Sequence, residues 1–180
     1  MKIKICGIKT LDDALIAIDA GAEMLGFNFY PSSPRYIEPE RCTRLVAVLR
    51  ETAPHITTVG VFVNTPPGEV DAILTTCGLD LAQLCGDEPP EALVALNGRA
   101  FKALRPQGAG MQEDAGAPDA TVEALLQAGR YARRTPPALL VDAASPGAQY
   151  GGSGRVAVRR TSLCIQTQQA RLDEETFSSV

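Results

Sequence analysis

The chain has no tryptophan, a single histidine and no long apolar run. Phe, Tyr and Trp together make up only 5% of its 180 residues. No segment approaches the roughly 18 consecutive apolar residues of a membrane-spanning helix. No signal peptide opens the chain, so its composition predicts a globular protein of the cytoplasm. The histidine, His55, precedes a predicted strand on the side away from any expected chemistry, and we expect it at the surface.

The chain has fewer basic than acidic residues. It contains 17 Lys and Arg and 21 Asp and Glu, which gives a net charge of −4. The basic residues are scattered and form no stripe that would follow nucleic-acid phosphates. A small anion is not excluded, since a helix N-terminus or a glycine-rich loop binds phosphate without net positive charge. The five cysteines match no zinc spacing such as C-x2-C, so we expect reduced thiols and no metal or organic cofactor. They are Cys6, Cys42, Cys77, Cys85 and Cys164.

Strand-like and helix-like segments alternate about six times. The predicted strands cover residues 3–6, 24–29, 57–63, 79–84, 100–104 and 138–141. Thr10 and Asp13 have the spacing of a capping box. The helix they begin has one apolar face at Leu11, Ala14, Leu15 and Ile18. Such alternation implies parallel strands joined by helical crossovers, which fits either a barrel or a doubly wound sheet.

Later helices are predicted from the same spacing of apolar residues. The second begins near Pro39, which suits a first helical turn. Its predicted inner face consists of Cys42, Leu45, Val46 and Leu49. A third helix is predicted where Val70, Ile73, Leu74 and Cys77 repeat the helical spacing. Further helices are predicted at 90–96 and around Val122, Leu125 and Leu126.

Reactive side chains lie where the predicted strands end, which is where parallel α/β folds place their chemistry. Cys6 ends the first strand, Gln83 lies near the end of the fourth, Lys102 lies within the fifth and Asp142 follows the sixth. A glycine-rich turn follows at Gly151, Gly152, Ser153 and Gly154. A cysteine at the end of a buried strand is usually a small core residue, and an aspartate there also suits a loop cap. Position alone therefore leaves both interpretations open.

Several ordered motifs together resemble the phosphoribosylanthranilate isomerases over residues 1 to about 157. The motifs are KICGI at 4–8, LGFNF at 25–29 with SPRYI at 33–37, VGVFVN at 59–64, the segment 81–88, and LVD at 140–142 with GGSG at 151–154. The resemblance implies a (β/α)8 barrel of the TIM-barrel type. It also implies an aldose–ketose isomerase of tryptophan biosynthesis. The reaction is the Amadori rearrangement of N-(5′-phosphoribosyl)anthranilate to 1-(2-carboxyphenylamino)-1-deoxyribulose 5-phosphate.

The resemblance also assigns roles to residues of this chain. It implies that Cys6 is the general base, that Asp142 is the general acid, and that Arg35 binds the anthranilate carboxylate. Gln83 and Lys102 would point toward the barrel mouth, and the turn from Gly151 to Gly154 would lie near the substrate. Cys85 stands where the family often has histidine. The chemistry is consistent with these roles, because ring opening requires a proton donor and the following step requires a base at C2′.

The chain departs from the family toward its end. The family's seventh and eighth strands carry Ala-Gly-Gly-Leu-like and Ser-Gly-Val-Glu-like turns that hold the substrate phosphate, and neither motif occurs here. Complete barrels usually need about 250 residues. We therefore expect an incomplete barrel domain of about six β/α units at 1–157, and a divergent polar tail at 158–180. The alternatives are a truncated, non-catalytic fragment of the enzyme and another sugar-phosphate-binding barrel enzyme.

Overall fold

The computed structural model describes residues 3–104, 130–131 and 139–141. The chain divides into two compact units, Met1–Lys102 and Ala103–Val180. In the second unit, the described residues include two helical residues and the short strand Leu139–Val141. The predicted helix around residue 125, the predicted domain boundary at 157 and the predicted tail at 158–180 lie outside the described residues, so these remain predictions.

Strands and helices alternate through the first unit, as the sequence predicts. The elements are β1 (Lys4–Cys6), α1 (Leu11–Asp19), β2 (Met24–Asn28), α2 (Pro39–Thr52), β3 (Thr57–Phe62), α3 (Pro67–Cys77), β4 (Leu81–Leu84), α4 (Pro90–Ala95) and β5 (Ala100–Leu104), followed later by β6 (Leu139–Val141). Each predicted strand is found within two residues of its predicted ends. Within the described ranges, none of the helices combines the length and apolar character needed to cross a bilayer.

The strands β1 to β5 lie side by side in the order of the sequence, and each neighbouring pair is parallel. A doubly wound sheet would instead reverse its strand order at a switch point. Each crossover helix here returns the chain to the next strand on the same side, as in a barrel sheet. The expected fold class, the (β/α) barrel type, is therefore confirmed.

The two faces of this sheet differ in what they contact. On one face, side chains such as Leu25, Phe27 and Leu84 join the helices in the main apolar core. Side chains alternate between the faces along each strand. The opposite face, which we call the inner face, carries a smaller cluster of Met24, Val59 and Phe101 with Leu81 against it. Cys6 pairs with Gly26, the second residue after Met24, and so lies on the inner face.

The helix α2 buries the face that its sequence predicts. It begins at Pro39, and Cys42, Leu45, Val46 and Leu49 are all buried. Arg50 near its end donates to Asp80 at 2.8 Å, to the Gly78 carbonyl at 2.8 Å and to Thr58 at 2.9 Å. This group of hydrogen bonds joins the end of α2 to the start of β3 and to the turn before β4.

The helix α1 begins as predicted but buries a different face. The Thr10 hydroxyl accepts from the Asp13 backbone and the Asp13 carboxylate accepts from Thr10, so the predicted capping box is present. Ala14 and Ala17 are the buried residues, whereas Leu11 and Leu15, predicted to face the core, are 37% and 41% exposed. The predicted face is therefore wrong in part. Two small alanines let the helix lie close to the sheet, and the neighbouring leucines are turned outward.

Candidate functional site

The thiol of Cys6 lies at the carboxyl end of β1, on the inner face of the sheet. Cys6 is half-buried and forms no disulfide. Its partner across the strands is Gly26. A Cβ placed on Gly26 would lie 2.7 Å from the Cys6 Sγ and 2.8 Å from the Lys4 Nζ. The absence of a side chain at Gly26 therefore provides the space in which this thiol and this ammonium group lie as neighbours.

Arg35 extends over the end of β1 from the loop between β2 and α2. Its guanidinium Nη1 donates to the Cys6 carbonyl oxygen at 3.4 Å. Gly7 has φ of +92°, and a Cβ on Gly7 would collide with the Arg35 side chain. Only glycine adopts that conformation at low cost. The glycine in the KICGI motif thus lets Arg35 approach Cys6, and the structure brings these two predicted site residues together.

Asn28 shapes the loop that carries Arg35. Its amide nitrogen donates to the Ser33 hydroxyl at 3.0 Å, and its amide oxygen accepts from the Tyr30 backbone at 2.9 Å. The same Ser33 hydroxyl accepts from the Arg35 backbone at 3.2 Å. Asn28 is only 7% exposed. Sequence reasoning missed it as a site-forming residue, although a polar residue at the end of an apolar strand and before Pro-Ser-Ser-Pro was a usable signal.

Gln83 lies on the inner face near the end of β4, opposite Val61 and Phe101. It is 6% exposed, and its amide nitrogen contacts the Cys85 sulfur at 3.1 Å. Its Oε1 is buried without a hydrogen-bond partner among the described residues. A buried acceptor without a donor costs about 1–3 kcal/mol, so such an atom is a candidate for contact with a ligand.

Lys102 leaves β5 on the face opposite to that of Gln83. The expectation that both side chains point toward the barrel mouth stays a prediction. Phe101 is the residue of β5 that pairs with Gln83, while Lys102 pairs with Leu84 of the helix-facing core. The Lys102 Nζ contacts the Glu88 carboxylate at 2.5 Å. Substrate contact by Lys102 remains an untested prediction.

The remaining predicted site residues, Asp142 and the turn from Gly151 to Gly154, lie outside the described residues. His55 is exposed, as predicted. The sequence analysis also did not identify Lys4 as a neighbour of the Cys6 thiol. The only signal for this was that Lys4 lies two residues before Cys6 and therefore on the same strand face. Among residues 3–104, 130–131 and 139–141, no three His, Cys, Asp or Glu side chains lie close enough together to hold a metal ion.

Two thiols outside the site lie against each other between α2 and α3. Cys42 and Cys77 are 0% and 2% exposed, and the Cys77 thiol donates to the Pro39 carbonyl at 3.4 Å. Burial, followed by the charge and hydrogen bond of the neighbouring Cys77, raises the pKa of Cys42 far above the usual range of a thiol. These cysteines therefore act as small apolar core residues.

A sheet of parallel strands in sequence order, with polar side chains gathered at the strand ends, defines the class of β/α-barrel proteins that bind their ligands at that edge. Residues 3–155 match the family described as N-(5′-phosphoribosyl)anthranilate (PRA) isomerase. The chain belongs to this family.

Individual relatives agree with the family match. The N-(5′-phosphoribosyl)anthranilate isomerase of Geobacter metallireducens is 43% identical over 154 residues, which is 86% of this chain and 66% of the relative. The enzyme of Geobacter sulfurreducens is 50% identical over 105 residues, covering 58% of this chain and 50% of the relative. The chain thus spans between half and two thirds of the length of these curated relatives.

Solved structures show the same fold. The crystal structure of phosphoribosyl anthranilate isomerase from Thermus thermophilus has a TM-score of 0.68 and 33% identity, over 93% of this chain and 72% of that one. A further structure is described as the isomerase in complex with reduced 1-(o-carboxyphenylamino)-1-deoxyribulose 5-phosphate. It has a TM-score of 0.62 and 32% identity, over 79% of this chain and 65% of that one.

Proposed function

We propose that this protein is a phosphoribosylanthranilate isomerase acting in tryptophan biosynthesis in the cytoplasm. Its small-molecule substrate is N-(5′-phosphoribosyl)anthranilate. The observation that carries the proposal is the meeting of Cys6 and Arg35 at the carboxyl end of β1, where the guanidinium Nη1 lies 3.4 Å from the Cys6 carbonyl oxygen. A thiol and a planar cation at the same strand end suit a substrate whose carboxylate lies a few bonds from its reacting carbons.

The proposed reaction begins with proton transfer from the Asp142 carboxyl to the ribose ring oxygen. The bond from C1′ to that oxygen breaks, and the anthranilate nitrogen supplies electrons to form a protonated Schiff base. Cys6, as the base, then removes the proton from C2′. The electrons of that C–H bond form the C1′=C2′ bond of an enolamine, and the π electrons of the C1′=N bond return to the nitrogen. Loss of the proton from the C2′ hydroxyl and addition of a proton at C1′ complete the ketone. This chemistry needs an acid and a base with different proton affinities.

Arg35 holds the anthranilate carboxylate in this proposal, since a guanidinium binds a carboxylate through two parallel hydrogen bonds. Gln83 accepts a hydrogen bond from a substrate hydroxyl at its buried Oε1. The support for this contact is the burial of that atom without a donor among the described residues. The turn from Gly151 to Gly154 borders the substrate in the same proposal.

The proposal is tested by assaying the full 180-residue chain for conversion of N-(5′-phosphoribosyl)anthranilate, together with Cys6→Ala and Asp142→Ala. Each substitution is expected to lower kcat by on the order of 10²–10⁴-fold, as is usual for loss of a general acid or base. Cys77→Ala is the matched control and is expected to keep the wild-type kcat, because Cys77 lies between α2 and α3. A Cys6→Ala protein with wild-type kcat would contradict the assignment of the base.

The outcome for the unmodified chain decides between the two main alternatives. A cooperatively folded chain without turnover would favour the non-catalytic fragment. Turnover of a different sugar phosphate, with none of the anthranilate compound, would favour another barrel enzyme.

A further inference from the structure

We propose that Lys102 and Glu88 form a buried clamp that holds the loops after β3 and β4, and that Lys102 serves the proposed reaction as a positioning residue through these loops. The inference rests on the proposed function for its catalytic consequence, whereas the clamp itself is a property of the fold. It assigns Lys102 a role different from direct contact with the substrate.

Glu88 is the centre of the clamp because both of its carboxylate oxygens accept hydrogen bonds from other segments. Oε1 accepts from the backbone nitrogens of Asn64 at 2.8 Å and Gly86 at 3.1 Å. Oε2 contacts the Lys102 Nζ at 2.5 Å. The Lys102 Nζ also donates to the Gly86 carbonyl at 2.5 Å. One ion pair thus joins the loop after β3, the loop after β4 and the strand β5.

Burial makes this ion pair necessary for the local structure. The side chains of Lys102 and Glu88 are only 5% and 4% exposed. Charges so placed are tolerated when they are paired and hydrogen-bonded, and removal of one partner leaves an uncompensated buried charge. The Lys102 side chain leaves β5 on the helix-facing side, because Lys102 pairs with Leu84 and alternates with Phe101, and its ammonium group contacts Gly86 and Glu88 in the loop after β4.

The two loops also contact each other without Lys102. The Asn64 side-chain oxygen accepts from the Asp87 backbone at 2.7 Å. Asn64 has φ of +52°, a conformation that asparagine tolerates better than most residues. A Cβ on Gly86 would collide with the Asn64 amide. The loops are thus packed closely enough that a displacement of one displaces the other.

The clamp adjoins two residues whose side chains lie at the candidate site. Gly86 directly follows Cys85, whose backbone nitrogen donates to the Phe62 carbonyl at 2.8 Å. The Cys85 sulfur contacts the Gln83 amide at 3.1 Å. A shift of Gly86 therefore reaches Gln83 through Cys85. This route lets the buried pair influence the position of the Gln83 acceptor.

The first test measures the clamp without substrate, by amide hydrogen exchange at Asn64 and Gly86 in the full chain. Lys102→Met is expected to speed exchange at both amides by on the order of tenfold or more, because it removes the buried ammonium group that balances the Glu88 charge. The double variant Lys102→Met with Glu88→Gln is expected to restore slow exchange, since it removes that charge and keeps an oxygen acceptor. Arg99→Met, which removes a charge from a surface pair, is the control and is expected to leave both amides unchanged.

The second test measures kcat and KM for the same variants. If Lys102 is a positioning residue, Lys102→Met loses turnover and the double variant regains most of it. If Lys102 instead binds the substrate directly, both variants have the same raised KM. This result would overturn the positioning role. Unchanged exchange in Lys102→Met, or a double variant that stays unprotected, would overturn the clamp. Absence of turnover in the wild type would remove the proposed function and the catalytic role together, while the exchange measurements would still decide the clamp.

Discussion

Gly26 on β2 lies opposite Cys6 on β1, and the Cys6 thiol occupies the space that a side chain at position 26 would need. A Cβ there would lie 2.7 Å from the sulfur and 3.2 Å from the Cys6 Cα. The thiol of the proposed base therefore fits beside β2 only because residue 26 has no Cβ. This pairing links a glycine of one family motif to the proposed base in another.

Gly26→Ala is expected to destabilise the chain by about 1–3 kcal/mol, the usual effect of overpacking a closely packed position. Because the nearest atom is the Cys6 sulfur, the same substitution is expected to change the rate at which Cys6 is alkylated. Urea denaturation and thiol labelling measure the two effects. Gly68→Ala is the control, since it lies in α3 with open space around it and is expected to stabilise by about 0.5–1 kcal/mol. Equal stability of both variants would contradict the role of the Gly26 space.

Arg35→Ala is expected mainly to raise KM for the phosphoribosyl substrate, with a smaller change in kcat. Its guanidinium lies beside the end of β1 and is proposed to bind a carboxylate that does not change charge in the reaction, so its loss weakens ground state and transition state alike. Arg44→Ala removes an exposed arginine of α2 and is expected to leave both constants unchanged. Steady-state kinetics decide the matter. A large fall in kcat at constant KM would place Arg35 in the chemical step instead.

Asp80→Ala is expected to lower the free energy of unfolding by about 1–3 kcal/mol, because it removes an acceptor of several hydrogen bonds. The Asp80 carboxylate accepts from the Thr58 backbone at 2.7 Å and from the Thr58 hydroxyl at 2.9 Å, besides its pair with Arg50. Asp71→Ala provides the comparison, since the described contact of Asp71 is a single surface pair with Arg99. That variant is expected to lose less than about 1 kcal/mol. Equal denaturation midpoints for Asp80→Ala and Asp71→Ala would contradict the larger contribution of Asp80 to stability.

The stability of the chain is expected to fall as the pH rises above about 8.5, the usual pKa of a thiol in an unfolded chain. Burial raises the pKa of Cys42 above that value in the folded protein, with a further contribution from Cys77. The folded state therefore holds a proton that the unfolded state releases, and each pH unit in this range costs up to about 1.4 kcal/mol per such group. Stability from this source is fully present below pH 8.5.

Urea denaturation of the wild type and of Cys42→Ala at pH 8 and pH 10 measures this contribution. The variant is expected to start less stable and to lose less on going to pH 10. Tyr36 adds a smaller loss at still higher pH, because partial desolvation and its hydrogen bond to Glu38 raise its pKa. Cys6→Ala is the control. It keeps the Cys42 thiol, so the contribution of Cys42 to the loss of stability between pH 8 and pH 10 is expected to persist. Parallel losses in the wild type and in Cys42→Ala would show that the buried thiol does not contribute.

Much of the local structure was determined by the sequence alone. The strand positions, the capping box at Thr10 and the buried face of α2 follow from spacing and from short-range hydrogen bonding, which depend on neighbouring residues. The family motifs also implied roles for Cys6 and Arg35, which the structure brings together at the end of β1, while the roles themselves stay predictions. These features were predictable because each is encoded within about one turn or one strand.

The tertiary structure decided which predicted residues meet and which face they occupy. Gln83 pairs with Phe101, so the alternation of side chains along β5 places Lys102 on the other, helix-facing side, and this pairing register became known only from the structure. Likewise, the apolar residues of α1 form a stripe wide enough for two orientations, and packing selected Ala14 and Ala17. Glu88 finds Lys102 fourteen residues later in the chain. Contacts between distant segments depend on register and helix rotation, which only the packed core determines.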